Sequence, residues 1–345
     1  MSRNMFFLKN KLQSPLMFVG AFALLCILGE YANSKIKFLW SQNHLRPAVV
    51  SVTLPQSDEY PAFFGTSNNH HTLDHYVLFH NLDGWVEHAK KADVIFTGNS
   101  RVLYAFDQTY LETLTKKDGL SFYNLGFQCA EGMGFSYEII KKFNLQPKMI
   151  VVNGDEFFPR YPTEFAKNVM RKTRFEAWKS VFENKMYFYY MLTVHRFLPY
   201  WENIIHPGAI LIYRSTSTGW WAFGFPNAEI TQQVVYGQDA VHPEPVRHFA
   251  MENARRYKAL LDEKGIELVI TWIPKPALGN VTEVRLIAQE LGVPYLPIDD
   301  LTDIYTFDHS HLDAESAEVF SSRLFDEIKK SGVYEKIVRR SRIEK

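Results

Sequence analysis

Residues 93–101 read Asp-Val-Ile-Phe-Thr-Gly-Asn-Ser-Arg, and the fold turns on this stretch. Asp93 to Thr97 is a compact run dominated by consecutive apolar side chains, the pattern of a strand buried on both faces of a parallel sheet. Gly98 permits a tight turn, and a helical pattern follows through Tyr110 to Thr115. Working outward, Trp85 to Lys91 forms a short helix upstream. Downstream, Ser121 to Leu125 reads as a second strand, Gly132 to Phe143 as a helix and Met149 to Val152 as a third strand.

The same alternation resumes later in the chain. Val246 to Lys264 has helical spacing, Glu267 to Trp272 is strand-like, Val281 to Leu291 is helical, and a short strand lies near Tyr295. A last helix runs from about Asp313 to Lys330, with Ala317, Phe320, Leu324 and Ile328 on one face. Strand and helix alternating in this way predict a three-layer α/β/α domain with a mostly parallel central sheet, spanning residues 83–335. Residues 160–245 break the pattern with Trp178, Tyr187, Tyr189, Tyr190, Phe197, Tyr200, Trp201, Trp220 and Trp221. They are expected to form a largely helical insertion beside the sheet edge that carries the site. Residues 35–82 show no clear periodicity and are expected to be irregular.

With 46% apolar and 15% aromatic residues, 345 residues supply ample material for a buried core. Basic and acidic side chains balance at 38 each, so no overall basic field favours nucleic acid. The two cysteines, Cys26 and Cys129, are not expected to pair, because Cys26 lies inside an apolar run. That run, Pro15 to Gly29, carries no charge and follows Arg3, Lys9 and Lys11. It is shorter than the roughly 20 residues that span a bilayer, but apolar residues on both flanks extend it. Glu30 and Tyr31 occupy the stretch where a signal peptide would be cut. Residues 1–34 are therefore expected to be a basic flank and an uncleaved transmembrane helix. The basic flank predicts a cytoplasmic N-terminus, which places the rest of the chain outside the cytoplasm as a periplasmic or cell-surface domain.

The chemistry-bearing residues sit at two ends of the α/β pattern. Ser100 follows the first strand and precedes a helix, where an open α/β sheet binds its ligands. The bland reading of such a serine is a helix cap. Asp308-His309-Ser310-His311 precedes the final helix. A serine hydroxyl needs a base to become a nucleophile, and a histidine base needs a carboxylate to fix its tautomer. The three-residue step from Asp308 to His311 lets one loop present both, with His309 as the competing base. The bland reading is a loop aspartate that caps the next helix, a task Asp313 can perform equally well.

Gly98-Asn99-Ser100-Arg101 and Asp308-x-x-His311 resemble the first and last blocks of the SGNH/GDSL hydrolase superfamily. The resemblance spans roughly residues 90–330 without the insertion and implies an SGNH/flavodoxin-like sheet. It implies Ser100 as nucleophile, His311 as base and then acid, and Asp308 as its orienter. Asn124-Leu125-Gly126 looks like the second block, which implies the Gly126 N–H as an oxyanion donor. Val152-Asn153-Gly154-Asp155-Glu156 stands where the third block has Gly-x-Asn-Asp and departs from that pattern; the resemblance implies the Asn153 side chain as the other donor. Asn99 stands where the family has aspartate, and Arg101 where it has leucine.

No cofactor is expected, because Gly132-Met133-Gly134 does not complete a dinucleotide fingerprint. His70, His71, Asp74 and His75 offer ligand atoms, but no second cluster completes a coordination shell, so no metal is expected. Lys275 is equally placed to face substrate or solvent. The implied function is an acyl-ester hydrolase or O-acetyltransferase acting on a cell-envelope glycan, served by a membrane protein that delivers the acyl donor. The alternative is a non-catalytic scaffold of a polysaccharide-modifying assembly that keeps the fold. The two differ at Ser100.

Overall fold

The structure is a computed structural model. It describes residues 63–66, 70–127, 131–183, 211–224, 232–234, 239, 241–276, 279–296, 298 and 301–343, with helical positions 20, 23, 24, 27 and 28. The chain passes through β1 (Phe63–Thr66), α1 (His70–His80), α2 (Trp85–Ala89), β2 (Val94–Gly98), α3 (Val102–Ala105), α4 (Gln108–Asp118), β3 (Phe122–Gly126), α5 (Met133–Phe143) and β4 (Met149–Asn153). Next come α6 (Glu164–Arg171), a helical run at 174–183, β5 (Leu211–Arg214), β6 (Trp221–Gly224) and β7 (Gln232–Gln233). The last part holds α7 (Glu244–Glu263), β8 (Glu267–Thr271), α8 (Val281–Leu291), β9 (Tyr295–Leu296), β10 (Tyr305–Thr306), α9 (Ala314–Lys330) and α10 (Val333–Ile343).

The central sheet has the order β3-β2-β4-β8-β9, and each neighbouring pair is parallel. Successive side chains of a strand point to opposite faces, and both faces here are apolar. Ile95, Leu125, Ile150, Val152 and Ile270 pack with helices α1, α2, α5 and α7 on one side. Val94, Phe96, Met149, Val151 and Val269 pack with α4, α9 and α10 on the other. The chain moves from β2 outward to β3, then crosses back to β4 on the other side of β2. This reversal makes a crevice at the carboxyl ends of β2 and β4, the usual ligand position in such sheets. The expected three-layer, mostly parallel architecture is the one observed.

Two expectations are corrected. Within 35–82, expected to be irregular, β1 and α1 are regular, and Asp74 to His80 are all buried. The insertion was expected to be largely helical, but its described second half is an antiparallel hairpin of β5 and β6, to which β1 adds a third strand. Leu-Ile-Tyr-Arg and Trp-Ala-Phe-Gly are short β-favouring runs around a Ser-Thr-Ser-Thr-Gly turn. Gly219 ends that turn at φ +76, and a Cβ there would lie 2.0 Å from the carbonyl oxygen of Asn124. The close approach lets the Asn124 N–H donate to Thr218 O at 2.8 Å, which partly covers the outer edge of β3.

A buried ion pair ties these late additions to the sheet. Arg214 on β5 donates to Asp74 of α1 at 2.7 Å, and the two side chains are 4% and 2% exposed. The same guanidinium donates to the carbonyls of Asn124 (2.8 Å) and Gly126 (3.2 Å) on β3. Desolvating two charges costs several kcal/mol per ion, and these acceptors offset it.

The expected anchor, residues 1–34, falls almost wholly outside the described residues. No helix among those described is long and apolar enough to cross a membrane.

Candidate active site

Ser100 sits in the turn between β2 and α3. Gly98 has φ +148, and a Cβ there would come within 2.8 Å of Val102 Cγ2 and 3.1 Å of Asn153 Cβ, so only glycine fits. Among the described contacts no side chain caps α3. Ser100 Oγ instead meets His311 Nε2 at 2.8 Å, joining residues 211 positions apart.

His311 is carried by a tight loop. Phe307 N–H donates to His311 O and Asp313 N–H to Tyr305 O, each at 3.0 Å, and His309 takes the tip at φ +64. The exposed tip leaves the bond to Ser100 with His311, not with His309. Asp308 Oδ1 accepts the backbone N–H groups of Ser310 (3.1 Å) and His311 (2.8 Å), and its Oδ2 meets His311 Nδ1 at 2.6 Å. Asp313 Oδ1 caps α9 by accepting from Ser316 N (2.9 Å), which leaves Asp308 to the histidine. Tyr104 and Phe307 flank the imidazole with ring centroids at 4.3 and 5.8 Å.

Partial burial pushes the Asp308 carboxyl up, but the hydrogen bond and charge of His311 and the two backbone N–H groups outweigh it and hold the group below the usual range. An ionised carboxylate only accepts, so the neutral imidazole that fits this contact carries its proton on Nδ1 and offers Nε2 to the Ser100 hydroxyl. The arrangement is a serine with a base in contact and an orienter behind it.

The two expected oxyanion donors are placed differently. Asn153 ends β4 in the crevice, wholly buried. Its Oδ1 accepts from Ile273 N–H (3.1 Å) and Asp155 N–H (3.4 Å), and one of its amide N–H groups donates to Asn99 Oδ1 at 3.1 Å. Gly126 lies at the end of β3, but its N–H donates to Asn124 Oδ1 at 2.9 Å, so this structure does not present it to an oxyanion. An asparagine two residues before the glycine can make that bond, which was readable in Asn124-Leu125-Gly126.

A buried polar group beside the serine escaped the sequence reading. Asp155 is fully buried after β4 and is bound by the Arg101 guanidinium and by Lys275 Nζ, the latter at 2.9 Å. Burial pushes its carboxyl up, and the charges of Arg101 and Lys275 outweigh that and hold it low. Lys275 thus turns its ammonium onto Asp155, with 13% of its side chain exposed. The signal that could have found the group was Arg101 and Asp155 standing together at departures from the family pattern.

Of the cluster at 70–75, the side chains described are those of Asp74 and His75. Asp74 pairs with Arg214, and His75 faces Glu131 at 3.4 Å. Among the described residues no group of three or more His, Cys, Asp or Glu is placed to hold a metal ion. Of the aromatic residues in the insertion, Trp220 and Trp221 are core while Trp178 is exposed, and Tyr187 to Trp201 lie outside the described residues. A separate cavity of about 440 Å³ is lined by Tyr137, Arg160, Tyr161, Phe249 and Arg256 among others, and includes none of the three site residues.

No protein-family profile matches the chain, and no curated protein matches it. Among solved structures the chain is similar to the crystal structure of a candidate acylhydrolase from Bacteroides fragilis. The two are 14% identical over 73% of this chain and 97% of that one, with a TM-score of 0.32. The fold description therefore rests on strand order, and the site on its own distances.

Proposed function

We propose that the chain is a serine-dependent acyl-ester enzyme of the SGNH type, an esterase or O-acetyltransferase, with Ser100, His311 and Asp308 as its catalytic residues. The observation that carries this reading is the continuous contact from Ser100 Oγ through His311 to Asp308, at 2.8 and 2.6 Å, between a strand end and a loop far apart in sequence. Ser100 Oγ attacks the ester carbonyl carbon while its proton passes to His311 Nε2. The tetrahedral intermediate collapses, the C–O bond to the leaving alcohol breaks, and His311 returns the proton to that alcohol. Water or a sugar hydroxyl then attacks the acyl-serine by the same route in reverse. The second amide N–H of Asn153 is the donor assigned to the oxyanion, and Gly126 joins it only if its bond to Asn124 opens.

The apolar, N-terminally basic run at 1–34 supports a membrane-tethered domain outside the cytoplasm, where envelope glycans are the acylated polymers at hand. On this reading the acceptor is a carbohydrate hydroxyl, and a membrane protein supplies the acyl donor. The test is turnover of p-nitrophenyl acetate by the full-length protein in detergent micelles, with and without an oligosaccharide acceptor, beside Ser100→Ala. The expected result is serine-dependent release of nitrophenol, with acetylated oligosaccharide when the acceptor is present. A folded wild type no faster than Ser100→Ala would favour the non-catalytic scaffold.

A further inference from the structure

The residues at which this chain departs from the family pattern touch one another. Asn99 Nδ2 donates to the carbonyl of Asp155 (3.1 Å) and to its Oδ2 (3.3 Å). Asn99 Oδ1 accepts the Arg101 N–H (3.2 Å) and the Asn153 amide (3.1 Å). The amide orientation is not arbitrary, because exchanging its O and N would set oxygen against oxygen on one side and N–H against N–H on the other. Asp155 in turn holds Arg101 and Lys275 on its two oxygens. Every polar atom of the Asn99 side chain is thus used, and each partner lies at the carboxyl end of β2 or β4.

We propose that Asp155 is a positioning residue that requires a neutral amide at position 99 and, through that amide, sets the turn carrying Ser100 and the side chain of Asn153. The inference rests on the serine-enzyme reading above. An aspartate at position 99, as the family has, would place an oxygen where Asn99 Nδ2 now lies. That oxygen would face the carbonyl and the carboxylate of Asp155, with no proton between them. The two cations do not relieve this contact, since both already sit on Asp155. The asparagine at 99 and the aspartate at 155 are therefore one exchange, an amide and a carboxylate that have to be present together. Swapping them restores one amide and one carboxylate between the two side chains, while the main-chain carbonyl of residue 155, which Asn99 Nδ2 now satisfies, loses its donor.

The test is a four-protein cycle on the full-length chain in micelles: wild type, Asn99→Asp, Asp155→Asn and the double exchange. Each is inactivated by a fluorophosphonate to give the maximal rate and the half-saturating concentration separately, and each is melted. Each single substitution is expected to slow the maximal rate by roughly 10- to 100-fold through misplacement of the attacking group, with half-saturation little changed. The double exchange is expected to react faster than the product of the two single effects, short of wild type because the main-chain carbonyl of residue 155 still faces an oxygen, and its thermal midpoint to exceed that given by adding the two single losses. A double variant as slow as the product of the two singles, or an Asn99→Asp protein equal to wild type, would overturn the proposal. A wild type that is not labelled at all overturns the serine reading instead, and the midpoints of the four proteins then decide whether positions 99 and 155 are coupled.

Discussion

Asp308 and Asp155 both bear on Ser100, and they are built differently. Asp308 stands on a loop with its side chain 41% exposed, and its partner is an imidazole that, on the proposed mechanism, gains and loses a proton in each turnover. Asp155 has no exposed surface, and its partners are a guanidinium and an ammonium whose charges do not change. Both carboxyls are held below their usual range against the effect of burial, one by His311 and backbone N–H groups, the other by Arg101 and Lys275. On the proposed reading, the carboxylate that follows a moving proton is half-solvated, while the one that fixes geometry is sealed between permanent charges. Asp74, paired with Arg214, is a buried ion pair of the same kind whose guanidinium otherwise reaches main-chain carbonyls, those of Asn124 and Gly126 on β3.

The comparison can be broken in several ways, beginning with the largest effect. Asp308→Asn should cut the acylation rate by about 10⁴-fold by removing the acceptor that fixes the His311 tautomer, with a thermal midpoint near that of wild type. Stopped-flow or discontinuous inactivation together with melting checks both halves. Arg214→Met should do the reverse, costing about 3–5 kcal/mol of stability by leaving Asp74 buried and unpaired. The acylation rate of the folded fraction should fall far less than in Asp308→Asn, as read by denaturant titration and inactivation at low temperature.

Asp155→Asn sharpens the distinction through pH. Because the folded carboxyl is held low, its stabilisation is fully present above the unfolded value of about 3.9 and is lost as pH falls toward the lower folded value. The wild-type advantage in thermal midpoint over Asp155→Asn should be flat above about pH 5 and shrink below about pH 4. A gap that widened in acid would contradict an ionised Asp155. Lys275→Met, which leaves Arg101 on the same carboxylate, should cost about 1.5–3 kcal/mol, the value of one charged hydrogen bond, and lower the rate less than Asp155→Asn does.

The parts of the molecule that were legible in the sequence are those where one physical rule dominates. Asp93 to Thr97 and Met149 to Val152 read as strands because a parallel sheet buried on both faces demands unbroken apolar runs. Ser100 was placed by its turn after β2, and Asp308 with His311 by a three-residue step before a helix. The contacts that two rules share were not legible. A buried Asp74–Arg214 pair looks in sequence like two surface charges, so α1 and the β5–β6 hairpin passed for irregular chain and helical insertion. Lys275 was undecided for the same reason, since its partner Asp155 comes from another strand end 120 positions away. The Gly126 N–H was assigned by resemblance, which passed over the local competition from Asn124 two residues before it. Helix α10 was not anticipated, although Ile337 on it is fully buried.

The most direct test of the central claim is mass spectrometry of the full-length protein after reaction with a fluorophosphonate, with the adduct mapped to a peptide in wild type, Ser100→Ala and His311→Ala. The account predicts one adduct, on Ser100, absent from Ser100→Ala and strongly slowed in His311→Ala. An adduct that persists in Ser100→Ala, or a folded wild type that forms none, would contradict it.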